Sequence, residues 1–149
     1  MRILLTNDDG PAAAGLALLL DRLRVLGEVT VLVPDRPQSG VGHGITFERP
    51  LRLSKKDGEV FTLDGTPADC VKFGITTLLT SPPDLVVSGL NHGSNAGLSA
   101  LNSGTVAAAT QAVMMGTPSL ALSMDATPEA DYAHAADIGG RIAAGWAAT

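Results

Sequence analysis

Short apolar runs alternate along this chain with segments whose apolar residues recur at helical spacing. The apolar runs predict core strands over residues 2–7, Val29–Val33, Asp84–Ser88 and Pro118–Ser123. The periodic segments predict helices over Gly15–Leu26, from Pro67 to about Thr80, from Ser103 to about Met115 and, weakly, over Ala130–Ala148. Apolar strands that alternate with helices are typical of a parallel sheet covered on both faces. We therefore expect an α/β fold.

The segment between the second and third core strands predicts a hairpin followed by a helix. Ile45–Leu53 and Val60–Leu63 are joined by a polar turn at residues 55–58, which favours a β-hairpin. Thr66 precedes Pro67, and Asp69 follows in the first turn. This arrangement is typical of a helix start.

Three polar loops follow core strands in this scheme, at residues 8–15, 34–44 and 89–103. The carboxyl ends of parallel strands meet at one edge of a sheet, and ligands bind beyond that edge in open α/β folds. We therefore expect the three loops to converge on a binding site.

The first loop opens with two adjacent carboxylates, Asp8 and Asp9. Neighbouring carboxylates repel each other and lose hydration beside an apolar layer. A bound divalent cation would offset both costs, because hard cations prefer carboxylate oxygens. Asp-Asp-Gly is also an ordinary turn sequence, so the pair by itself leaves a turn and a metal site open.

The other two loops carry further oxygen donors. Ser39 lies in the second loop, and Asn91 and Asn95 lie in the third. Two carboxylates, a hydroxyl and an amide carbonyl could form a shell for a hard cation, completed by water. The sequence contains no Cys/His cluster with the spacing of a structural zinc site.

Ser103, Gly104 and Thr105 open a predicted helix. Free backbone N–H groups and the helix dipole attract anions at such a position, although simple helix capping is an equally ordinary role. A cation beside an anion site is what the hydrolysis of a phosphate ester needs.

Composition and charge limit the kinds of core and of binding partner that this chain can have. Aromatic residues make up 3% of the 149-residue chain, so aliphatic side chains must fill the core. The net charge is −5 and the basic residues are scattered, which argues against binding to a nucleic-acid duplex or an anionic membrane. The single cysteine, Cys70, excludes an intrachain disulfide and is expected to be a buried small hydrophobe. Without a signal-peptide pattern or a membrane-length apolar stretch, we expect a cytoplasmic protein.

These motifs occur in one order that resembles the survival protein SurE family of metal-dependent nucleotidases. The matching segments are Asn7–Gly10, Pro34–Gly40, Gly65–Val71, Ser88–Asn95 and Ser103–Ala109. The resemblance implies a Rossmann-like three-layer α/β/α fold with a mostly parallel sheet, as one domain over residues 1–149. It also implies hydrolysis of nucleoside 5′- and 3′-monophosphates with one Mg²⁺ or Mn²⁺ per subunit.

The resemblance assigns roles residue by residue. Positions that match Asp8, Asp9, Ser39 and Asn91 hold the metal in that family, with Asp8 and Asp9 as the catalytic pair. Positions that match Asn95, Ser103, Gly104 and Thr105 surround the phosphate.

The chain departs from the family pattern in three places. Ala13-Ala14-Gly15 stands where Ala-Pro-Gly is usual, and Asn102 stands where an aromatic residue is frequent. Family members are also considerably longer, with a C-terminal part that completes the fold and forms a homodimer or homotetramer through exchanged arms. A catalytically weak or silent metal-binding remnant is therefore an alternative.

A phospho-receiver signalling domain is a second alternative, since it also has an acidic pair after its first strand. It further needs an accepting aspartate after the third strand and a late lysine. Asp57 falls in a polar turn and no lysine follows Lys72, which argues against it. Of the histidines, His43 is a candidate proton donor and His92 a weaker one, although an ordinary loop position is favoured for both.

Overall fold

The structure is a computed structural model, in which residues 1–127 and 131–147 are described. The strands are β1 (Arg2–Thr6), β2 (Glu28–Pro34), β3 (Leu53–Lys55), β4 (Val60–Leu63), β5 (Leu85–His92) and β6 (Ser119–Met124). The helices are α1 (Ala14–Arg24), α2 (Pro67–Phe73), α3 (Ser99–Asn102), α4 (Gly104–Met114) and α5 (Tyr132–Ala147), and a π-helical turn at Gly74–Leu78 continues α2.

The strands form one six-stranded sheet in the order β3-β4-β2-β1-β5-β6. All neighbours are parallel except β3 and β4, which form the antiparallel hairpin. The parallel sheet that the apolar pattern predicts is thus confirmed.

Each face of the sheet carries its own apolar layer. Alternate residues of β1 project to opposite faces, so Ile3 and Leu5 pack beneath α1 and α5, while Leu4 packs beneath α2 and α4. The core is aliphatic, as the low aromatic content requires. These two layers with the sheet between them confirm the three-layer α/β/α prediction.

The predicted hairpin is present, but its first strand is much shorter than the sequence pattern indicates. Only Leu53–Lys55 pairs with β4, in the register Leu53 to Leu63. The backbone N–H of Thr46 donates instead to the Asp69 carboxylate at 3.0 Å, and Phe47 is 83% exposed. The expected strand over Ile45–Arg52 is therefore wrong, because the ladder with β4 begins only at Leu53. Leu51 still packs against the apolar layer beneath α2 and α4, whereas Phe47 remains exposed.

Asp69 joins this irregular segment to the start of α2. Its carboxylate accepts hydrogen bonds from Thr46 Oγ1 at 2.6 Å and from the backbone N–H of Thr66 at 3.0 Å. Thr66 Oγ1 accepts in turn from the Asp69 backbone N–H, which completes a capping box. The predicted helix start at Thr66–Pro67 is confirmed.

Other element boundaries differ from the sequence predictions. Strand β5 continues to His92, four residues beyond the predicted end at Ser88, so Asn91 lies on the strand and not in a loop. Helix α1 ends at Arg24, and the proposed ends of the last helix at Ala130 and Ala148 lie outside the described residues. Within residues 1–127 and 131–147, no helix is long and apolar enough to span a membrane.

Candidate metal and phosphate site

The turn after β1 is built by Asn7. Its Nδ2 donates to the Gly10 carbonyl at 2.9 Å, and its Oδ1 accepts from the Gly10 backbone N–H at 3.0 Å. Gly10 adopts a φ of +84°, which strongly favours glycine. The closed turn fixes Asp8 and Asp9 at the carboxyl edge of the sheet, as the sequence predicts.

Asp8 lies against the start of α4. Thr105 Oγ1 donates to Asp8 Oδ1 at 2.8 Å. A Cβ at Gly104 would lie 2.8 Å from Asp8 Cβ and 2.9 Å from Pro67 Cγ, closer than real contacts allow. Glycine at position 104 therefore lets the helix start approach Asp8.

Burial determines the electrostatics of Asp8, which is 6% exposed. Burial raises the pKa of the Asp8 carboxyl, and the neighbouring charge of Asp9 raises it further, while the bond from Thr105 opposes the rise. A divalent cation beside this carboxylate would favour its charged form and so lower its pKa.

Backbone hydrogen bonds fix the second loop, at residues 34–44, beside Asp8. The backbone N–H of Gln38 donates to the Asp8 carbonyl at 2.7 Å, and that of Gly42 donates to the Asn102 carbonyl at 3.0 Å. These bonds hold the exposed Ser39 in a loop that runs from Asp8 to the residues before α4.

Asn91 lies near the end of β5, with 9% of its surface exposed. Its Nδ2 donates to the Gly93 carbonyl at 2.8 Å. Its Oδ1 has no hydrogen-bond partner within the described part of the chain. The amide oxygen is therefore available to a ligand.

The predicted donor set fits a hard divalent cation. Asp8, Asp9, Ser39 and Asn91 offer only oxygen atoms, from two carboxylates, a hydroxyl and an amide. No group of three or more His, Cys, Asp or Glu residues lies together among residues 1–127 and 131–147. Softer metals that depend on imidazole or thiolate ligands therefore fit less well.

The residues predicted to surround the phosphate also form bonds within the protein. Ser103 Oγ accepts from the Val106 backbone N–H at 3.1 Å, so Ser103 is the N-cap of α4. Asn95 Nδ2 donates to Ser123 Oγ at 2.9 Å. Thr105 binds Asp8, so its observed role is to orient that carboxylate.

Both candidate histidines have side-chain partners within the protein. His43 Nε2 lies 2.9 Å from Gln111 Oε1, and Gln111 is about 9 Å along α4 from Thr105 at the usual helical rise. His92 Nδ1 lies 2.7 Å from the hydroxyl of Tyr132, and the two rings stack. These contacts support a role outside catalysis for both histidines. His43 lies in the second loop, whereas His92 ends β5 and is not in a loop.

Sequence reasoning missed Ser123, Gln111 and Tyr132. Ser123 ends a predicted core strand, so the rule that sites form at carboxyl ends was a signal for it. Gln111 and Tyr132 lie within helices, and their contacts with distant loops leave no mark in the local pattern.

The model of the family "Survival protein SurE" matches residues 3–149 of this chain. The chain belongs to the SurE family. The resemblance in the sequence motifs is thereby confirmed.

Curated relatives within the family carry the name 5′-nucleotidase SurE. The protein of Geotalea daltonii is 50% identical over 145 residues, which cover 97% of this chain and 58% of the relative. That of Pelobacter propionicus is also 50% identical over 145 residues, with 96% and 58% covered. The chain thus spans less than two thirds of the length of these SurE relatives.

The SurE crystal structure from Aquifex aeolicus has the same fold. It superposes with a TM-score of 0.94 at 40% sequence identity, and the match covers 99% of this chain and 60% of that one. The part of the SurE fold that this chain contains is therefore preserved.

Proposed function

We propose that the chain is a divalent-metal-dependent phosphomonoesterase that converts nucleoside 5′- and 3′-monophosphates into nucleoside and phosphate. The observation that carries the proposal is the contact of Asp8 with the start of α4 through Thr105 and Gly104. This contact brings a carboxylate suited to a cation beside a helix N-terminus suited to an anion. The relatives named 5′-nucleotidase SurE support the 5′-nucleotidase part of the proposal.

In this proposal Asp8, Asp9, Ser39 and Asn91 hold one Mg²⁺ or Mn²⁺. Such an ion would supply an activated water and would draw charge from the phosphoryl oxygens. Thr105 keeps Asp8 oriented through its hydrogen bond, and the Gln38–Asp8 bond keeps Ser39 near the acidic pair. The bond from Thr105 also favours the charged form of Asp8 that a cation requires.

The chain's remaining polar groups would bind and orient the phosphate. The positive end of the α4 dipole at Ser103 and Gly104 favours an anion, and the Asn95 amide can donate once it leaves Ser123. The start of α4 lies against Asp8, so a phosphate bound there would have its phosphorus near the ligand set. In this proposal Asp9, which is more exposed than Asp8, accepts a proton from water.

The test is phosphate release from AMP and from 3′-AMP with Mn²⁺ or Mg²⁺, with and without chelator. We expect release only with the ion, and an Asp8→Asn loss of at least about a hundredfold, in the range seen when an electrostatic group is removed from an active site. Asp57→Asn, in the distant hairpin turn, is the control with the same change of charge. Release that survives both chelation and Asp8→Asn contradicts the metal mechanism.

Metal binding without catalysis is the second candidate, because the oxygen donors of Asp8, Asp9, Ser39 and Asn91 suit a hard cation whether or not turnover follows. In that case Mn²⁺ raises the melting temperature by mass action while phosphate release stays at background. Turnover above background with AMP rules it out.

A further inference from the structure

A cavity of about 520 Å³ lies between α1 and α5. Arg22 and Leu26 line it from the end of α1 and the turn that follows, and His134, Asp137 and Arg141 line it from α5. Its volume falls in the range of about 300–1,000 Å³ that holds small organic ligands. The acidic pair precedes the other end of α1, so this cavity is separate from the candidate metal and phosphate site.

Glycine at position 140 lets the two helices approach each other beside the cavity. A Cβ at Gly140 would lie 3.0 Å from Arg22 Cβ, which is tighter than most real contacts. His134, Asp137 and Arg141 recur at intervals of three and four residues, so they share one face of α5. Gly140 adds only backbone to the wall, and no side chain fills the cavity at this position.

Positive and negative charges are not balanced in the cavity. The guanidinium of Arg22 donates to the Asp137 carboxylate, and this bond, with the nearby charges of Arg141 and His134, holds the pKa of Asp137 below its usual value. Two guanidinium groups thus face one carboxylate, beside an imidazole that can add a further positive charge. At neutral pH the lining keeps an excess of one positive charge, in a chain whose net charge is −5.

Arg141 carries this excess charge. It is exposed and forms no hydrogen bond or close ion pair within the described part of the chain, whereas Arg22 is held by Asp137. Asp21, the carboxylate next to Arg22 in the chain, pairs with Arg24. A planar guanidinium offers two parallel N–H donors, which match the two oxygens of a carboxylate. Arg141 is therefore available to an anionic group of a ligand.

The remaining walls are apolar. Val25 and Leu26 follow α1, and Ala144 lies about one helical turn beyond Arg141. Val25 is 82% exposed, so the apolar part of a ligand would remove its side chain from water. A ligand with an anionic end and a compact apolar body would contact both kinds of wall.

We propose that this cavity is a second binding site, which takes a small organic monoanion with a carboxylate group and an apolar ring. Arg141 donates to the carboxylate, and Val25, Leu26 and Ala144 contact the ring. The single excess charge fits a monoanion, because a dianion would meet stronger repulsion from Asp137. This site does not depend on the phosphatase reaction.

The test is an NMR titration of the isotope-labelled chain with benzoate, in chelator so that the acidic pair holds no metal. We expect the shifted amide signals to concentrate at residues 134–144. Benzamide has the shape of benzoate without its charge, and acetate has the charge without the ring. Each should bind at least about tenfold more weakly than benzoate.

Arg141→Gln should weaken benzoate binding at least about tenfold, because it removes the charged donor and keeps an amide. Arg52→Gln is the matched control, since Arg52 is also exposed and lies beside the β3–β4 hairpin, away from the cavity. It should bind benzoate as the unmodified chain does. The amide spectrum of each variant reports whether it is folded.

Shifts centred on residues 103–106 would place benzoate at the start of α4 and overturn the inference. Absence of saturable shifts would do the same, as would benzamide or acetate binding as tightly as benzoate. Equal losses in Arg141→Gln and Arg52→Gln would show a response to overall charge and also overturn it. Phosphate release from AMP is measured separately, so failure of the second site and failure of the proposed function are distinguishable.

Discussion

Thr105 Oγ1 donates a 2.8 Å hydrogen bond to Asp8 Oδ1 across 97 residues of sequence. Both side chains are buried, and the bond joins the turn after β1 to the first turn of α4. It fixes one carboxylate oxygen, and the other, Oδ2, lies beside Gly104 at the start of α4. The geometry of the acidic pair thus depends on a helix far from it along the chain.

Thr105→Val should lower the free energy of unfolding by about 1–3 kcal/mol, because it leaves a buried carboxylate without its hydroxyl donor at nearly constant volume. Urea denaturation measures the change. Thr105→Ser keeps the hydroxyl and should lose much less. Equal stability of the valine variant and the unmodified chain would contradict the role assigned to this bond.

Gly104→Ala should also destabilise the fold, by about 1–3 kcal/mol, since the added methyl group meets Asp8 Cβ and Pro67 Cγ at under 3.0 Å. Gly145→Ala is the matched control. Its added methyl group meets no atom within 4 Å in the described part of the chain, and it lies within helix α5. Thermal melts should show the control gaining about 0.5–1 kcal/mol from helix propensity. Two changes of the same sign would refute the packing argument.

Asp8 should contribute to the free energy of unfolding of the metal-free protein, and this contribution should fall as pH rises. Burial raises the folded pKa of Asp8. A group with a raised folded pKa contributes stability below its unfolded pKa and loses that contribution as pH rises through the folded pKa. The lowered pKa values of Asp64, Asp84 and Asp137 act in the opposite direction, with stability lost as pH falls.

The measurement is therefore a difference between the unmodified chain and Asp8→Asn, followed by melting temperature from about pH 3 to pH 7 in chelator. We expect the stability of the unmodified chain relative to the variant to fall across this range. A flat difference would mean that Asp8 is not desolvated in solution.

Cys70 should resist thiol reagents in the native state. It lies on α2 and is fully buried, and burial, helped by the charge of Asp69, holds the pKa of its thiol well above the usual value. A protonated, inaccessible thiol is a poor nucleophile. Reaction with Ellman's reagent should occur only at the rate of unfolding, and rapid labelling in buffer would contradict this.

Local pattern predicts the layers of this fold well, because each core strand and helix carries its own periodicity. It fails where polar residues continue a strand. Gly89 and Asn91 suggest a loop by composition, yet both lie on β5, where the pairing with β6 shifts register between Ser88 and Asn91. The opposite failure occurs at Phe47, whose apolar character suggests a strand although distant bonds hold its segment outside the sheet.

In the candidate site, too, some features follow from local sequence pattern and others depend on contacts between distant residues. Asp8, Ser39 and Asn91 can be selected because they follow the core strands that the sequence predicts, and that rule needs only the order of elements. The bonds from Thr105 to Asp8 and from Asn95 to Ser123 join residues far apart in the chain, so no local pattern predicts them. The side chains that orient the site are consequently harder to predict than those that form it.

The segment that carries Ser39 is tied down at both ends, by the Gln38–Asp8 bond on one side and by the bonds from Thr46 to Asp69 on the other. The number of residues between Gln38 and Thr46 is therefore matched to the fixed distance between these two anchor points. Insertions or deletions between residues 38 and 46 would shift Ser39 away from the acidic pair even though every strand stayed in place. The exposed hairpin turn at residues 56–59 has no such ties to the site, so related proteins are free to vary there in length.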